Sequence, residues 1–347
     1  LRDLLTARLD TVREGARETA QLAAVLGREF RYELLRAVSA RAEIDLREDL
    51  DDLVAAGLVH PQYGARTESF LFRHMLLRDA AYESIVRPVR RRLHGRVVQT
   101  LRERFPDLSR QRPEVLALHH EGAGQPEAAI ESWQLAAESA LRKAAFVESQ
   151  QQAERALALL EQMGSGERND RLRLDLLNTL GTVQFNTLGL SAPAVEATFR
   201  EAAAIAERLD GSQFSPKVLN GLWGVHFARG DREGVERLLP HMHRLAAQSD
   251  DPLGCLTGNT AIAIHALWSG SFARGRDHAA RARVYYGHDD VRRFVRNYGW
   301  DGTMYCYSVE ILCRWHLGLP DQARALCREM MERVECERNP TSIAAAL

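Results

Sequence analysis

The sequence IAIHALWSGSFARGRDHA, residues 262–279, decides the fold of most of the chain. Its apolar residues recur at helical spacing as far as Trp268, and Gly270 then interrupts the pattern. Gly275 follows five positions later, inside a second helical pattern. A glycine allows a helix to end in a tight turn, and a small residue allows the next helix to pack closely. The stretch therefore predicts a helix–turn–helix unit.

A glycine followed by a small residue five positions later, or four in the case of Gly230/Gly234, recurs along the chain after Pro113. The successive glycines are 65, 41, 40 and 48 residues apart, and the first interval leaves room for a degenerate unit around residues 144–153. Tandem units of this length predict an α-solenoid over residues 113–347. The pairs are Gly124/Ala129, Gly189/Ala194, Gly230/Gly234, Gly270/Gly275 and Gly318/Ala323.

The chain before the repeats predicts a different domain. Three helical patterns, at residues 14–26, 32–38 and 44–56, are followed by two short β-patterns at 58–60 and 69–72 that flank a polar, glycine-containing stretch. Three helices followed by a β-hairpin is the order of a winged-helix domain. Further helices are expected at residues 75–86 and 89–104.

These patterns define the expected organisation of the chain. Prolines at both ends of residues 106–113 indicate a domain boundary there. We expect residues 1–12 to end a preceding helical domain, residues 13–105 to form the winged-helix domain, and residues 113–347 to form the solenoid. The fold class is therefore mainly α, a winged-helix domain with a small β-hairpin followed by an α-solenoid of helix–turn–helix repeats.

Composition excludes several classes of protein. The 347 residues are 45% hydrophobic and 27% charged, which is typical of a globular protein. The formal net charge of −1 argues against a general binder of nucleic acid or anionic membranes. No apolar run is long enough for a transmembrane helix. The chain begins without Met and carries no signal peptide, so we expect a piece of a longer, cytoplasmic protein.

Catalytic and metal-binding motifs are missing from the sequence. There is no Gly-Lys dipeptide and therefore no Walker A loop, and the patterns GxGxxG, HExxH and GxSxG are also absent. His119–His120 and His241–His243 lack the further ligands that a metal site needs, and the five cysteines contain no CxxC pair. We therefore expect no enzyme activity, no metal and no cofactor in these residues.

Charge is unevenly distributed over two predicted helices. The third helix is acidic, which argues against its insertion into a DNA groove and favours packing against protein. The segment 87–104 is basic and has two interpretations, either a solvated face or a surface that contacts the acidic third helix, a neighbouring domain or a nucleotide phosphate. The arginines that define this basic patch are Arg87, Arg90, Arg91, Arg92 and Arg96.

Aromatic residues are concentrated late in the chain. At helical spacing such residues form core, but in a solenoid they can also line a groove for a peptide or a small ligand. Both interpretations stay open. The candidate groove residues are Trp223, Trp268, Tyr298, Trp300, Tyr305 and Trp315.

The sequence FLFRHMLLRDAAY, residues 70–82, resembles the end of the winged-helix domain in STAND-class signalling ATPases, where a Met-His-Asp motif opens a helix. The stretches 23–30, 53–59 and 91–94 are similar to bacterial predicted-ATPase regulators of this class, and the resemblance continues through residues 116–124 and Trp133 into the first repeat. In these regulators tetratricopeptide-like repeats follow the ATPase.

The resemblance implies a role for two residues. The motif histidine of STAND proteins contacts the β-phosphate of bound ADP, and His74 occupies its position. Arg73 and Met75 replace the Met and Asp of the motif, and Arg73 can itself reach a phosphate. The other interpretation of His74 is a hydrogen-bonded cap at the strand–helix junction. ATP or ADP is thus implied for the whole protein, bound by an upstream ATPase domain of the same chain.

Two functions are therefore expected. In the first, the winged helix relays nucleotide state while the tetratricopeptide-like solenoid binds a protein partner or a small inducer. In the second, the chain is a scaffold or adaptor for protein–protein interaction without nucleotide coupling. Neither involves DNA or a membrane.

Overall fold

The computed structural model is mainly helical and describes residues 9, 11–62, 68–210, 215–248, 251–285, 289, 295 and 301–337. Within these residues it contains 17 helices and three strands. The chain divides into two compact units, Leu1–Ala136 and Ala137–Leu347, called here the N-terminal and C-terminal units. The predicted fold class, with its helical repeats and small sheet, is confirmed.

The N-terminal unit contains the three helices and the hairpin that the sequence predicts. Its elements are α1 (Glu14–Leu26), β1 (Glu29–Arg31), α2 (Tyr32–Val38), α3 (Glu43–Ala55), β2 (Val59–Gln62), β3 (Ser69–Phe72), α4 (Met75–Glu83), α5 (Arg87–Arg104), α6 (Pro106–Gln111), α7 (Pro113–Ala123) and the start of α8 (Pro126–Arg142).

The sheet has one strand more than the predicted hairpin. Its order is β1-β3-β2, and β3 pairs antiparallel with both neighbours, so that Phe70 lies opposite Phe30 and Phe72 opposite Val59. The rings of Phe30 and Phe70 stack with centroids 5.8 Å apart. These apolar side chains join the core formed by the buried leucine stripe of α3, Leu46, Leu50 and Leu53.

The stretch 106–113, where we expected a domain boundary, contains helix α6. Pro106 begins α6 and Pro113 begins α7. Proline fits the first turn of a helix, because its missing N–H has no intrahelical partner there and its φ is already helical. The two compact units divide later, after Ala136 within α8.

The C-terminal unit is a series of helices joined by short turns. Consecutive helices pack along the chain, as the predicted repeats require. The helices after α8 are α9 (Phe146–Glu161), α10 (Glu167–Leu188), α11 (Pro193–Asp210), α12 (Pro216–Ala228), α13 (Arg232–Gln248), α14 (Pro252–Trp268), α15 (Phe272–Val284), α16 (Gly302–His316) and α17 (Pro320–Glu337).

The predicted turn glycines have the backbone that the pattern requires. Each lies between two helices with a φ between 67° and 82°, a left-handed conformation that strains other residues. The small residue Gly275 is also required, since a Cβ there would lie 2.7 Å from the Cys313 sulfur. The turn glycines are Gly124, Gly189, Gly230, Gly270 and Gly318.

Close packing inside the C-terminal unit depends on glycines that the repeat pattern did not single out. The ring of Phe199 in α11 packs against α10 and α12 at two glycines. A Cβ at Gly181 would lie 2.7 Å from this ring, and a Cβ at Gly221 would lie 2.3 Å from it. At Gly258 in α14, a Cβ would meet the backbone oxygen of Met242 at 2.5 Å.

The degenerate unit predicted around residues 144–153 is present. Ala144 occupies the turn between α8 and α9 with a φ of 55°. Within the described part of the chain, no other residue except glycine has a positive φ. This turn therefore has the backbone of the other repeat turns without their glycine, which explains why the glycine spacing skipped it.

Replacing Ala144 with glycine is expected to raise the free energy of unfolding by about 0.5–1 kcal/mol. A left-handed φ costs a non-glycine residue about 1–2 kcal/mol, and the greater freedom of glycine in the unfolded chain offsets part of that. Urea unfolding measures the difference. As a control, Ala158→Gly at an exposed position within α9 should lower stability. Equal losses in both variants would contradict the prediction.

Candidate functional site

The candidate phosphate sensor lies where β3 meets α4. The last residue of β3, Phe72, is buried, and the backbone N–H of Arg73 donates to the carbonyl of Leu58 at 3.0 Å. His74 is the N-cap residue of α4 with an extended backbone, and its carbonyl accepts from the N–H of Leu77 at 3.0 Å. The main chain thus fixes the junction and directs the next side chains to the surface.

The side chains at this junction are exposed. Arg73 and His74 are both on the surface, followed by Met75 and Leu76, which are 54% and 51% exposed. In the described part of the chain neither Arg73 nor His74 has a side-chain hydrogen bond or an ion pair. His74 caps α4 through its backbone only, without the side-chain bond of the capping interpretation.

The other end of α4 is connected to the first repeat through buried histidines. The hydroxyl of Tyr82 in α4 lies 2.9 Å from Nε2 of His94 in α5. Nδ1 of His94 lies 2.9 Å from Nδ1 of His119 in α7. The guanidinium groups of Arg78 and Arg90 lie 4.9 and 4.3 Å from the Tyr82 ring centroid. Three helices thus share one hydrogen-bonded chain.

Burial keeps this histidine pair neutral. Burial, with a smaller contribution from neighbouring positive groups such as Arg78, lowers the pKa of His94 to about 4 and the pKa of His119 to about 3. One Nδ1 therefore donates its proton and the other accepts it. This position gives His119 a structural role, and its partner His94 was not predicted from the sequence. The signal was present, because His94, Val97 and Leu101 follow one inward face of α5.

The predicted basic patch divides into two sets of arginines. Arg90 and Arg96 are turned toward the backbone of their own unit, where Arg90 donates to the carbonyl of Ile85 at 2.9 Å and Arg96 donates to the carbonyl of Val38. The remaining members, Arg87, Arg91 and Arg92, are exposed.

The acidic helix α3 pairs with arginines outside α5. Asp49 is buried, accepts from the Thr19 hydroxyl at 2.8 Å and lies 2.9 Å from Arg41, so it does not face solvent as the sequence argument assumed. Three of the carboxylates at the surface of α3 pair with arginines outside α5: Glu43 with Arg36, and Glu48 and Asp52 with Arg13.

The candidate groove residues in the described part of the chain differ in burial. Trp223 is buried and stacks on Phe227 with centroids 5.0 Å apart, so it belongs to the core. Trp268, Tyr305 and Trp315 are 74%, 49% and 57% exposed. Tyr298 and Trp300 lie outside the described residues.

The described residues contain no group of three or more side chains that could hold a metal ion. They also contain no helix long and apolar enough to cross a membrane. Cys255, Cys306 and Cys313 are buried, whereas Cys327 is exposed.

Comparison with known proteins gives limited matches. The chain matches no family model. It is 28% identical over 266 residues to an uncharacterised protein of Rhizobium meliloti (strain 1021), an alignment that covers 75% of this chain and 25% of that protein. A solved STAND protein with a tetratricopeptide repeat sensor, from Pyrococcus horikoshii, aligns over 97% of this chain and 59% of its own length. That alignment has 10% identity and a TM-score of 0.42. The chain thus spans about a quarter of the first protein and three fifths of the second.

Proposed function

We propose that this chain is the regulatory, partner-binding region of a STAND-type signalling ATPase. Its winged helix, residues 13–105, relays the state of a bound nucleotide, and its helical repeats bind a protein partner or a small inducer. The proposal rests on the exposed side chains of Arg73 and His74, which have no partner in the described part of the chain and stand at the position of the family's phosphate-sensing motif.

The chemistry of this junction suits a nucleotide held by another domain. An imidazole N–H donates to a phosphate oxygen, and a guanidinium adds positive charge and further donors. The neighbouring Met75 and Leu76 are half-exposed apolar side chains, which suit contact with a protein surface beside the phosphate.

A route from this junction to the repeats supports the relay. Helix α4 begins after His74 and carries Tyr82 near its end, and the Tyr82–His94–His119 chain connects it to α7. A shift of α4 that follows the nucleotide therefore has to move α7 or break this chain. Partner binding to the repeats biases the same equilibrium if the partner's affinity differs between the two states.

The test uses the natural protein with the ATPase domain that the proposal places before Leu1. The double variant Arg73→Ala with His74→Ala is expected to bind ADP about tenfold to a hundredfold more weakly, because a hydrogen bond to a charged group contributes about 1.5–3 kcal/mol. Titration calorimetry with ADP measures it. The control His60→Ala removes another exposed histidine of the same unit, from β2. Unchanged ADP affinity in the double variant, or a natural sequence without GxxxxGK[ST], contradicts the proposal.

The adaptor function has its own support in the C-terminal unit. Trp268 and Trp315 are both more than half exposed at the ends of α14 and α16. Exposed tryptophans are typical anchors of protein interfaces. Partner binding that is the same with and without nucleotide favours the adaptor.

A further inference from the structure

The outward face of α5 contains a glycine that the described structure does not require. Gly95 lies in the middle of this 18-residue helix, and a Cβ placed there would have no atom within 4 Å. By contrast, a Cβ at Gly122, Gly181 or Gly258 would lie within 3 Å of another group. Glycine in a helix interior lowers the stability of the helix, and no contact within one copy of the chain requires a glycine at this position. It allows another backbone to approach closely.

Unpaired positive charge surrounds this glycine. Arg91 and Arg92 precede it by one turn, Arg87 by two, and Arg102 follows two turns later. All four are exposed, and none has a carboxylate partner in the described part of the chain.

A helix with the opposite properties is present in the same unit. The outward face of α3 carries Glu43, Asp45, Glu48 and Asp51, and Ile44 among them is 74% exposed. Asp45 and Asp51 have no ion pair in the described residues. The α3 carboxylates that are paired use arginines other than those of α5, so the charges of the two helices are left to be matched by another molecule.

We propose that α5 of one copy of this chain binds α3 of a second copy, with the helices crossing at Gly95. Arg91 and Arg92 face the carboxylates of Asp45 and Asp51. Like charges keep two α3 faces apart, so the contact joins different surfaces. Such a contact repeats from copy to copy and builds open chains or rings. It is independent of nucleotide and therefore of the proposed function.

A nucleic acid fits this surface less well than a second copy. Phosphates near α5 would also meet the negative field of α3 in the same unit, and the whole chain carries a formal charge of −1.

Sedimentation of the 347-residue chain tests the proposal through a charge exchange. The average mass is expected to rise between about 1 and 100 µM at low salt, and to fall back to that of a monomer near 0.5 M salt, where charges are screened within about 4 Å. Arg91→Glu with Arg92→Glu, or Asp45→Arg with Asp51→Arg, should each give a monomer. An equal mixture of the two variants should associate again, because the reversed α5 of one meets the reversed α3 of the other.

A second variant tests the crossing point. Gly95→Leu should weaken association at least tenfold while circular dichroism shows an intact helical fold, because the space above Gly95 is open within one copy. Glu127→Leu adds the same side chain to an exposed position in α8 and should leave association unchanged. A chain that stays monomeric, a mixture that fails to associate, or Gly95→Leu behaving like the natural chain overturns the proposal. Duplex DNA that binds a monomeric chain through Arg91 and Arg92 also overturns it.

Discussion

Replacing Glu310 with glutamine is expected to lower the free energy of unfolding of the C-terminal unit by about 3 kcal/mol. The Glu310 side chain is completely buried in α16. One oxygen lies 2.8 Å from Nε of Arg283 in α15, and the other lies 2.9 and 2.6 Å from Nε and Nη2 of Arg314. The substitution removes the charge and turns an amide donor toward a guanidinium. Arg314 and Arg283 then lose the buried carboxylate that both contact, and Arg283 keeps Glu329 at 3.1 Å.

Urea unfolding of the chain, with hydrogen exchange of α15 and α16 to report on the C-terminal unit, measures this loss. Glu332→Gln is the matched control, because Glu332 is an exposed glutamate in the adjacent α17 and should change stability by less than about 0.5 kcal/mol. Replacing Glu310, Arg283 and Arg314 together with leucine and two methionines should restore most of the loss. No buried charge then remains, and Glu329, which loses Arg283, is exposed to solvent. Equal effects of the two glutamate substitutions would show that the buried triad is not responsible.

Lowering the pH from about 7 to about 5 is expected to destabilise the N-terminal unit by about 2–4 kcal/mol. The histidines His94 and His119 have pKa values of about 4 and about 3 in the folded chain, because burial opposes their charge, against an ordinary value of 6.5. At a pH between the folded pKa values and 6.5, these histidines are protonated in the unfolded chain but neutral in the folded chain. Their contribution to stability is therefore complete above about pH 6.5 and is lost as the pH falls toward 4 and 3.

Hydrogen exchange of α5 and α7 at a series of pH values measures this effect. His119→Gln removes one titrating group but keeps a side chain that hydrogen-bonds to His94, so it should reduce the pH dependence by about half, whatever it does to stability at neutral pH. His60→Gln replaces an exposed histidine of the same unit and should leave the pH dependence unchanged. A natural chain whose N-terminal unit is equally stable at both pH values would contradict the assignment of a neutral buried pair.

Local patterns in the sequence predict most helices of this fold, because each helix has its own periodicity and its own end signal. The helices at 14–26 and 32–38 have the predicted bounds, and those starting at 43 and 87 differ by one or two residues. Strand β1 was not predicted, since its three residues offer no periodicity. Phe30 pairs with Phe70, 40 residues later, and only tertiary structure brings the two together.

The candidate sites depend on contacts that no local pattern contains. The motif identified Arg73 and His74, and their exposure is consistent with the proposed role. The acidic composition of α3 could not show which of its carboxylates are buried. Asp49 packs against Thr19 and Arg41, whereas the carboxylates around it are exposed. Trp223 and Trp268 looked equivalent in the sequence, but neighbouring helices bury the first and leave the second exposed.

The position of Phe199 between two glycines has an evolutionary consequence. Because its ring fills the space above both Gly181 and Gly221, a larger residue at either glycine is compatible with the fold only after Phe199 has become smaller. The distances between α10, α11 and α12 can therefore change during evolution only through combined substitutions at these positions, not through a single one. Among descendants of this sequence, we expect the side-chain sizes at these three positions to change together.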